Sequence, residues 1–227
     1  MKNSLKNATL SVAKQIIDGI LAGILIALGG AVFLACINSG TPYSRYIGAF
    51  LFSLALVCIC MRGDSLYTGK IGLLYEKHKK EDISVLLLGL LGNLIGTVLC
   101  GYLIALMMPG LKETALTLCT GKLEQGYGFG FLRAMFCGIL VYLAVELYRN
   151  NRSTLGIFLC IPAFILSGFE HSIANMFYFA ASGIVSVEAF LYIVMILLGN
   201  SIGGLLFPTL QQIRPRETQE SEEKLSK

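Results

Sequence analysis

The sequence contains no tryptophan, only two histidines and five prolines among 227 residues, and charged side chains make up 14% of it. The acids and histidines do not stand at the spacing of a metal site or a catalytic triad, which disfavours a membrane enzyme or metalloprotein. The seven cysteines lie mostly inside apolar runs at no metal-ligand spacing, so we expect reduced, packing thiols. No metal and no other cofactor is therefore expected.

Apolar residues dominate the chain instead. They make up 55% of it, and the mean hydropathy is +0.71, which is far too apolar for a soluble domain and predicts a polytopic membrane protein. The first apolar run, residues 16–37, is long enough to span a bilayer, so we expect it to remain as a helix and not to be a cleaved leader. The net charge of +4 is small, and the lysine and arginine residues lie mostly in short connecting segments. This distribution indicates signals for membrane orientation, and no nucleic-acid partner is expected.

Three regions are predicted along the chain. Residues 1–15 intersperse lysines with apolar side chains, which is typical of an amphipathic helix at the membrane surface. Residues 16–208 form a six-span domain, and residues 209–227 form a charged cytoplasmic tail. His78 falls in a hydrophilic segment and is predicted to be a solvated loop residue. The predicted spans are residues 16–37, 46–75, 85–108, 127–148, 155–182 and 187–206.

Polar residues interrupt the fifth span near its middle. Glu170, His171 and Asn175 lie between two apolar segments that would otherwise form one continuous helix. Such groups are costly at membrane depth and usually face a water path, a solute or each other. Gly168 and Ser172 fit a local helix break, because glycine tolerates backbone conformations that other residues avoid. A break frees backbone groups that lipid cannot satisfy, so it predicts a pore or binding site.

The second span is interrupted similarly at residues 62–70, and this order of features repeats along the chain. The pattern Gly-Asn-x-Ile-Gly occurs in the third span at residues 92–96 and in the sixth at 199–203. Two sets of three helices, each with its second helix broken, predict an inverted repeat whose breaks meet at the midplane. We therefore expect Thr68 and His171 to face each other. The pattern also fits small-residue helix packing, which is compatible with the repeat.

The distribution of lysine and arginine predicts the orientation. With both termini cytoplasmic, most of these residues fall in inner segments, and the outer segments hold only Arg45, Lys112 and Lys122. This asymmetry follows the positive-inside rule. We therefore expect a multi-pass protein of the cell (inner, cytoplasmic) membrane.

The motif Gly-Phe-Glu-His-Ser-Ile-Ala-Asn-Met at residues 168–176 resembles the signature of the formate/nitrite transporter family, which includes formate, nitrite and hydrosulfide channels. Supporting matches lie at residues 66–69, 92–96, 143–145 and 199–200, and the likeness covers about residues 16–206. The resemblance implies an all-α integral membrane protein with an aquaporin-like six-helix protomer, an inverted repeat and two broken helices, helix 2 and helix 5. It also implies a homopentamer in which every protomer has its own pore.

The resemblance assigns roles to single residues. It implies His171 as the central histidine, Thr68 as the pore threonine and Lys122 as the vestibule lysine. Gly138 takes the place of a family asparagine in helix 4 that can hydrogen-bond the histidine, which leaves the partner of His171 open. Further pore-lining positions are the aromatic Phe52 and Phe164, the aliphatic Leu56 and Leu66, and Tyr67. Structural support of the broken helices is expected from Glu170, Asn175, Asn93 and Asn200.

Some of these assignments have alternatives. His171 could be a structural histidine, Thr68 a helix cap, Lys122 an ordinary surface lysine, and the two phenylalanines core aromatics. The Glu170 side chain is expected to hold the broken loop by binding the backbone amides of that loop.

The resemblance implies passage of small monovalent anions or their conjugate weak acids, such as formate, nitrite or hydrosulfide, with solute protonation or hydrogen bonding at His171. A channel and a proton-coupled carrier both remain open, as does the identity of the anion. An aquaporin-like channel for neutral solutes is the alternative, although the chain has no Asn-Pro-Ala repeat.

Overall fold

The computed structural model describes the backbone of residues 2–74 and 80–213, and the side chains of residues 10–74 and 83–213. Over these residues the fold is all-α. The helices are α1 Lys2–Asn38, α2 Ser44–Arg62, α3 Tyr67–Lys70 with a following 3₁₀ turn Ile71–Leu73, α4 Lys80–Met107, α5 Pro109–Glu124, α6 Gly126–Asn151, α7 Leu155–Leu166, α8 Ser172–Ser182 and α9 Val187–Ile213.

Five of the described helices contain a segment long and apolar enough to cross a membrane alone: Leu10–Asn38, Ser44–Arg62, Ile83–Met107, Gly126–Asn151 and Val187–Ile213. The predicted fifth span is instead built from two half-helices, because α7 has 12 residues and α8 has 11. Every residue of α8 is buried, so this half-helix lies in the core of the protomer.

Glycine ends the helical segment at each predicted break. Gly63 follows α2 with φ 76°, and Gly168 follows α7 with φ 70°. These left-handed conformations are accessible to glycine at little cost and stop a right-handed helix. Four residues separate α2 from α3, and five separate α7 from α8. The two breaks therefore lie where the sequence predicted them.

The two halves of the chain pack in the same way. α1 packs along α4, and α6 packs along α9. The repeated glycine pattern lies at both contacts, since Gly92 faces α1 at Gly19 and Gly199 faces α6 at Ala134. The half-helices cross between halves, because α3 contacts α6 while α8 contacts α1 and α4. This exchange is the arrangement expected of an inverted repeat with the site at its centre.

Several element boundaries differ from the sequence-based ones. Residues 1–15 were predicted to form a separate surface helix. In the structure α1 begins at Lys2 and continues without a break to Asn38. The third span begins at Lys80, and the sixth runs through Pro208 to Ile213. The polar connection before the fourth span is itself a helix, α5, with Pro109 in its first turn, where proline is favoured. His78 and residues 214–227 of the predicted tail lie outside the described residues.

Candidate functional site

The structure brings the two predicted pore residues into direct contact. Thr68, on α3, and His171, at the start of α8, are hydrogen-bonded through Oγ1 and Nε2 at 2.8 Å. Both side chains are buried, at 1% and 4% exposure. The two residues are 103 positions apart, so the contact joins the two halves of the repeat.

The second ring nitrogen of His171 fixes the protonation state of the ring. Nδ1 accepts a hydrogen bond of 3.1 Å from the backbone N–H of Ala174, which makes His171 the N-cap of α8. A backbone amide can only donate, so Nδ1 carries no proton and the neutral ring holds its proton on Nε2. Nε2 therefore donates to Thr68 Oγ1, and the hydroxyl proton of Thr68 remains available to another acceptor.

Two cavities with no lining residue in common approach this pair. The first cavity, of about 400 Å³, is lined by His171, and the second, of about 230 Å³, is lined by Leu66 and Gly69 on either side of Thr68 in sequence. The Thr68–His171 contact therefore lies between the two cavities.

The predicted aromatic and aliphatic positions fall on different cavities. Phe52 and Phe164 line the first, and Leu56 and Leu66 line the second; all four are between 2% and 4% exposed. Phe164 also stacks on the His171 ring with centroids 5.8 Å apart. An apolar wall thus stands on each side of the polar pair. Tyr67 is buried beside Thr68, and its hydroxyl hydrogen-bonds Ser201 Oγ at 2.8 Å.

Two buried asparagines hold the two breaks by the same pattern. Asn93 accepts from the N–H of Tyr67 at 2.9 Å and donates to the carbonyls of Ser65 and Gly19, each at 2.8 Å. The first N–H of α3 and the carbonyl of Ser65, both freed by the helix break, are thereby satisfied inside the protein, as an apolar environment requires.

Asn200 makes the equivalent bonds at the second break. It accepts from the N–H of Ser172 and donates to the carbonyls of Glu170 and Ala134, all at 2.8 Å. The asparagine of each Gly-Asn-x-Ile-Gly pattern thus fixes the start of one half-helix. Leu66 directly precedes the residue whose N–H binds Asn93, and His171 directly precedes the residue whose N–H binds Asn200. Leu66 is therefore the counterpart of His171 in the first half.

Glu170 is the centre of a polar network beside the first cavity. Its Oε2 lies 2.5 Å from Lys122 Nζ and accepts from Asn175 Nδ2 at 2.8 Å, and its Oε1 accepts from Gln125 Nε2 at 3.0 Å. The Glu170 carboxylate therefore contacts side chains, whereas hydrogen bonds to backbone N–H groups of the broken loop were expected. The backbone N–H at the start of α8 is bound by Asn200 instead.

The Lys122 side chain is not that of an ordinary surface lysine. It is 13% exposed and is held by Glu170, whose side chain is 4% exposed. Its Nζ also lies 5.9 Å from the centre of the Tyr178 ring. Buried ion pairs of this kind satisfy each other's charge. Lys122 consequently fixes α5 against the second break while lining the first cavity.

Gly138, which was expected to take the place of a family asparagine, faces α9 and not an open space. A Cβ added there would lie 2.9 Å from Gly204 N and still closer to the carbonyl oxygen of Asn200. The α9 backbone occupies the room that a larger side chain would need. The close approach of α6 and α9 thus leaves no room for an asparagine side chain at Gly138. The ring of His171 is hydrogen-bonded to Thr68 and to the backbone N–H of Ala174 instead.

Comparisons with known proteins agree with this architecture. The family model described as formate/nitrite transporter matches residues 1–213. The chain belongs to the formate/nitrite transporter family.

Individual family members are similar at moderate identity. Formate-nitrite transporter 2 of Toxoplasma gondii is 28% identical over 239 residues, covering 91% of this chain but 51% of that protein, so the chain spans about half of its length. Nitrite transporter NirC of Salmonella typhimurium is 28% identical over 213 residues, covering 84% of this chain and 79% of that protein. The solved structure of a pentameric formate channel with formate bound has a TM-score of 0.79 at 24% identity, covering 90% of this chain and 97% of that one, and it shows the same fold.

In this member of the formate/nitrite transporter family, the site also includes polar residues that sequence reasoning did not select. Gln125 donates to the Tyr192 hydroxyl and accepts from Arg133, and Arg45 lines the first cavity with Arg133. An arginine inside an apolar span is a recognisable signal for Arg133. The sequence gives no comparable signal for Gln125 and Tyr192. Their hydrogen bonds depend on the position of Gln125 between α5 and α6, which the sequence did not predict.

No group of three or more potential metal ligands occurs among the described side chains of residues 10–74 and 83–213. The seven cysteines are unpaired thiols that lie at separate positions of the fold.

Proposed function

We propose that this protein conducts small monovalent anions, or their conjugate weak acids, across the membrane by way of the Thr68–His171 contact. Formate, nitrite and hydrosulfide are the solutes implied by the family. The observation that carries the proposal is a buried hydroxyl–imidazole pair lying between two cavities, with apolar walls on both sides.

Charge on the cavity walls supports an anion as the solute. The first cavity is lined by Arg45, Lys122 and Arg133, and the second by Lys70, Arg149 and Arg152. Cavities lined mainly by one sign of charge concentrate ions of the opposite sign. An anion would therefore accumulate on either side of the apolar constriction before crossing it.

The central pair offers the crossing anion a hydrogen-bond donor. Because Nε2 of His171 donates to Thr68, the Thr68 hydroxyl can donate its own proton to a carboxylate or nitrite oxygen. A bare anion loses hydration in an apolar passage at a cost of several kcal/mol, so one neutral donor compensates only part of it. Crossing as the neutral acid removes that cost.

Proton uptake by the ring would provide the neutral acid. The imidazole gains a proton at Nδ1 from solvent in the first cavity, which releases the Ala174 amide. It then passes its Nε2 proton to Thr68 Oγ1 while the Thr68 hydroxyl proton moves to the bound anion. The ring is then neutral with its proton on Nδ1, and proton exchange with solvent restores the Nε2 form for the next cycle. The acid leaves as an uncharged molecule. In this scheme one proton crosses with each anion.

The functional unit is proposed to be a homopentamer in the cell membrane with both termini cytoplasmic. The pentameric assembly of the similar formate channel and the lysine and arginine asymmetry support this arrangement. Native mass spectrometry in mild detergent tests the assembly, and a protease site added at the C-terminus tests the orientation.

Competitive uptake into liposomes tests the function itself. Purified protein should carry formate, nitrite or hydrosulfide faster than lactate, and it should carry little water or glycerol. Rapid water or glycerol flux without anion flux would support the neutral-solute alternative and reject the proposal.

A further inference from the structure

The side chains that line the first cavity do not share its positive charge equally. Among the described residues, three cations and a single acid, Glu170, line it. Lys122 lies 2.5 Å from that acid, so the charge of Lys122 is compensated within the wall. Two positive charges remain, and they belong to Arg45 and Arg133.

Arg45 stands at an unusual place for a cation. It lies in the first turn of α2, which has no acidic residue to offset it. Helix N-termini carry partial positive charge and favour acids, so a cation there costs a fraction of a kcal/mol, roughly 0.3–1. The side chain is exposed and lines the first cavity. Its position therefore adds to the positive potential of the cavity instead of stabilising the helix.

The charge of Arg133 is not compensated by its hydrogen-bond partner, because that partner is the neutral amide of Gln125. Its guanidinium donates to the side-chain oxygen of Gln125, and Gln125 in turn donates to Glu170. The amide thus keeps the arginine oriented toward the network without pairing it with the carboxylate. Arg133 comes from α6 and Arg45 from α2, so the two cations approach the cavity from different halves of the repeat.

We propose that Arg45 and Arg133, and not Lys122, capture the incoming anion at the mouth of the first cavity. This inference rests on the proposed function. The guanidinium groups offer planar pairs of N–H donors that match carboxylate and nitrite oxygens. Lys122, paired with Glu170, forms part of the cavity wall beside the captured anion.

The test is initial formate uptake into liposomes as a function of formate concentration, at about 20 mM and about 300 mM ionic strength. The variants are Arg45→Glu, Arg133→Gln and the double variant. Arg45→Glu places an acid in the first turn of α2, which favours the helix. It is therefore expected to fold even though it reverses the charge at the cavity. Lys112→Glu is the matched control, because Lys112 lies in the first turn of α5 but does not line the cavity.

At low ionic strength the double variant should raise the KM for formate about three- to ten-fold with little change in maximal rate, and the rise should shrink at high salt. Lys112→Glu should leave KM unchanged. The wild-type KM should itself increase with ionic strength. A KM for Arg45→Glu equal to that of Lys112→Glu, or a wild-type KM independent of salt, would overturn the inference while leaving the proposed function in place. A wild type that carries none of the anions would overturn both.

Discussion

Asn93 and Asn200 perform the same task at equivalent positions of the two halves. Each accepts from the first amide of a half-helix and donates to one carbonyl in the break and one in a neighbouring helix. Both side chains are fully buried, at 0% exposure. The inverted repeat is thus expressed in hydrogen bonds as well as in helix order, and the central site depends on both asparagines.

Replacing either asparagine should destabilise the protomer. Asn93→Ala or Asn200→Ala leaves one N–H and one carbonyl of the break without the partner that the asparagine supplies, at about 1–3 kcal/mol each. We expect a lower thermal unfolding temperature in detergent for both variants. Asn150→Ala, at an exposed position near the end of α6, is the control and should not change it. A wild-type unfolding temperature for Asn200→Ala would show that the break is held by other contacts.

The ion pair of Lys122 and Glu170 should act as one structural unit. Lys122→Met leaves a buried carboxylate without its cation and should lower stability by about 3–5 kcal/mol. The double variant Lys122→Met/Glu170→Gln removes both charges and keeps a hydrogen-bonding amide near Gln125 and Asn175, so it should recover part of the loss. The measurement is a double-mutant cycle of thermal unfolding in detergent. Additive losses would show that the two residues act independently.

Gly138 should not accept an asparagine side chain. Gly138→Asn forces the side chain into the backbone of α9 and should lower the yield of assembled protein and its unfolding temperature. Gly128→Asn is the matched control on the same helix, because a Cβ there meets no atom within 4 Å. Equal stability of the two variants would contradict the close approach of α6 and α9.

Much of this architecture follows from particular residues in the sequence. Gly63 and Gly168 stop apolar helices at membrane depth, and polar residues follow each glycine, so both breaks could be predicted. The contact of Thr68 with His171 followed from the repeat, because inverted halves bring their breaks together.

Other features depend on tertiary packing and could not be predicted. The helix α5 has a polar composition that was interpreted as a connection, although Pro109 is a helix-start signal. The pairing of Lys122 with Glu170 joins residues 48 positions apart on elements with no common periodicity. The loss of a side chain at Gly138 was interpreted as a missing partner for His171, whereas the space is taken by α9.

Phe164 should control the size of the solute that passes. It lines the first cavity and stacks on the His171 ring, so Phe164→Ala should widen the constriction and admit acetate and lactate at rates closer to that of formate. Phe190→Ala, which changes an exposed ring of α9, is the control. An unchanged ratio of lactate to formate uptake in a folded variant would remove Phe164 from the constriction.

The His171→Asn variant tests the central claim most directly. Asparagine is a favourable N-cap, so its Oδ1 can accept from the Ala174 amide and preserve α8, but it has no titratable ring and cannot relay a proton to Thr68. We predict a normal assembly, formate uptake reduced about ten-fold or more, and loss of the rise in uptake that the wild type shows as external pH falls. His78→Asn, which changes the other histidine, should keep the wild-type profile. Formate flux by His171→Asn at the wild-type rate and with the wild-type pH dependence would contradict proton exchange at this residue and leave His171 a structural role.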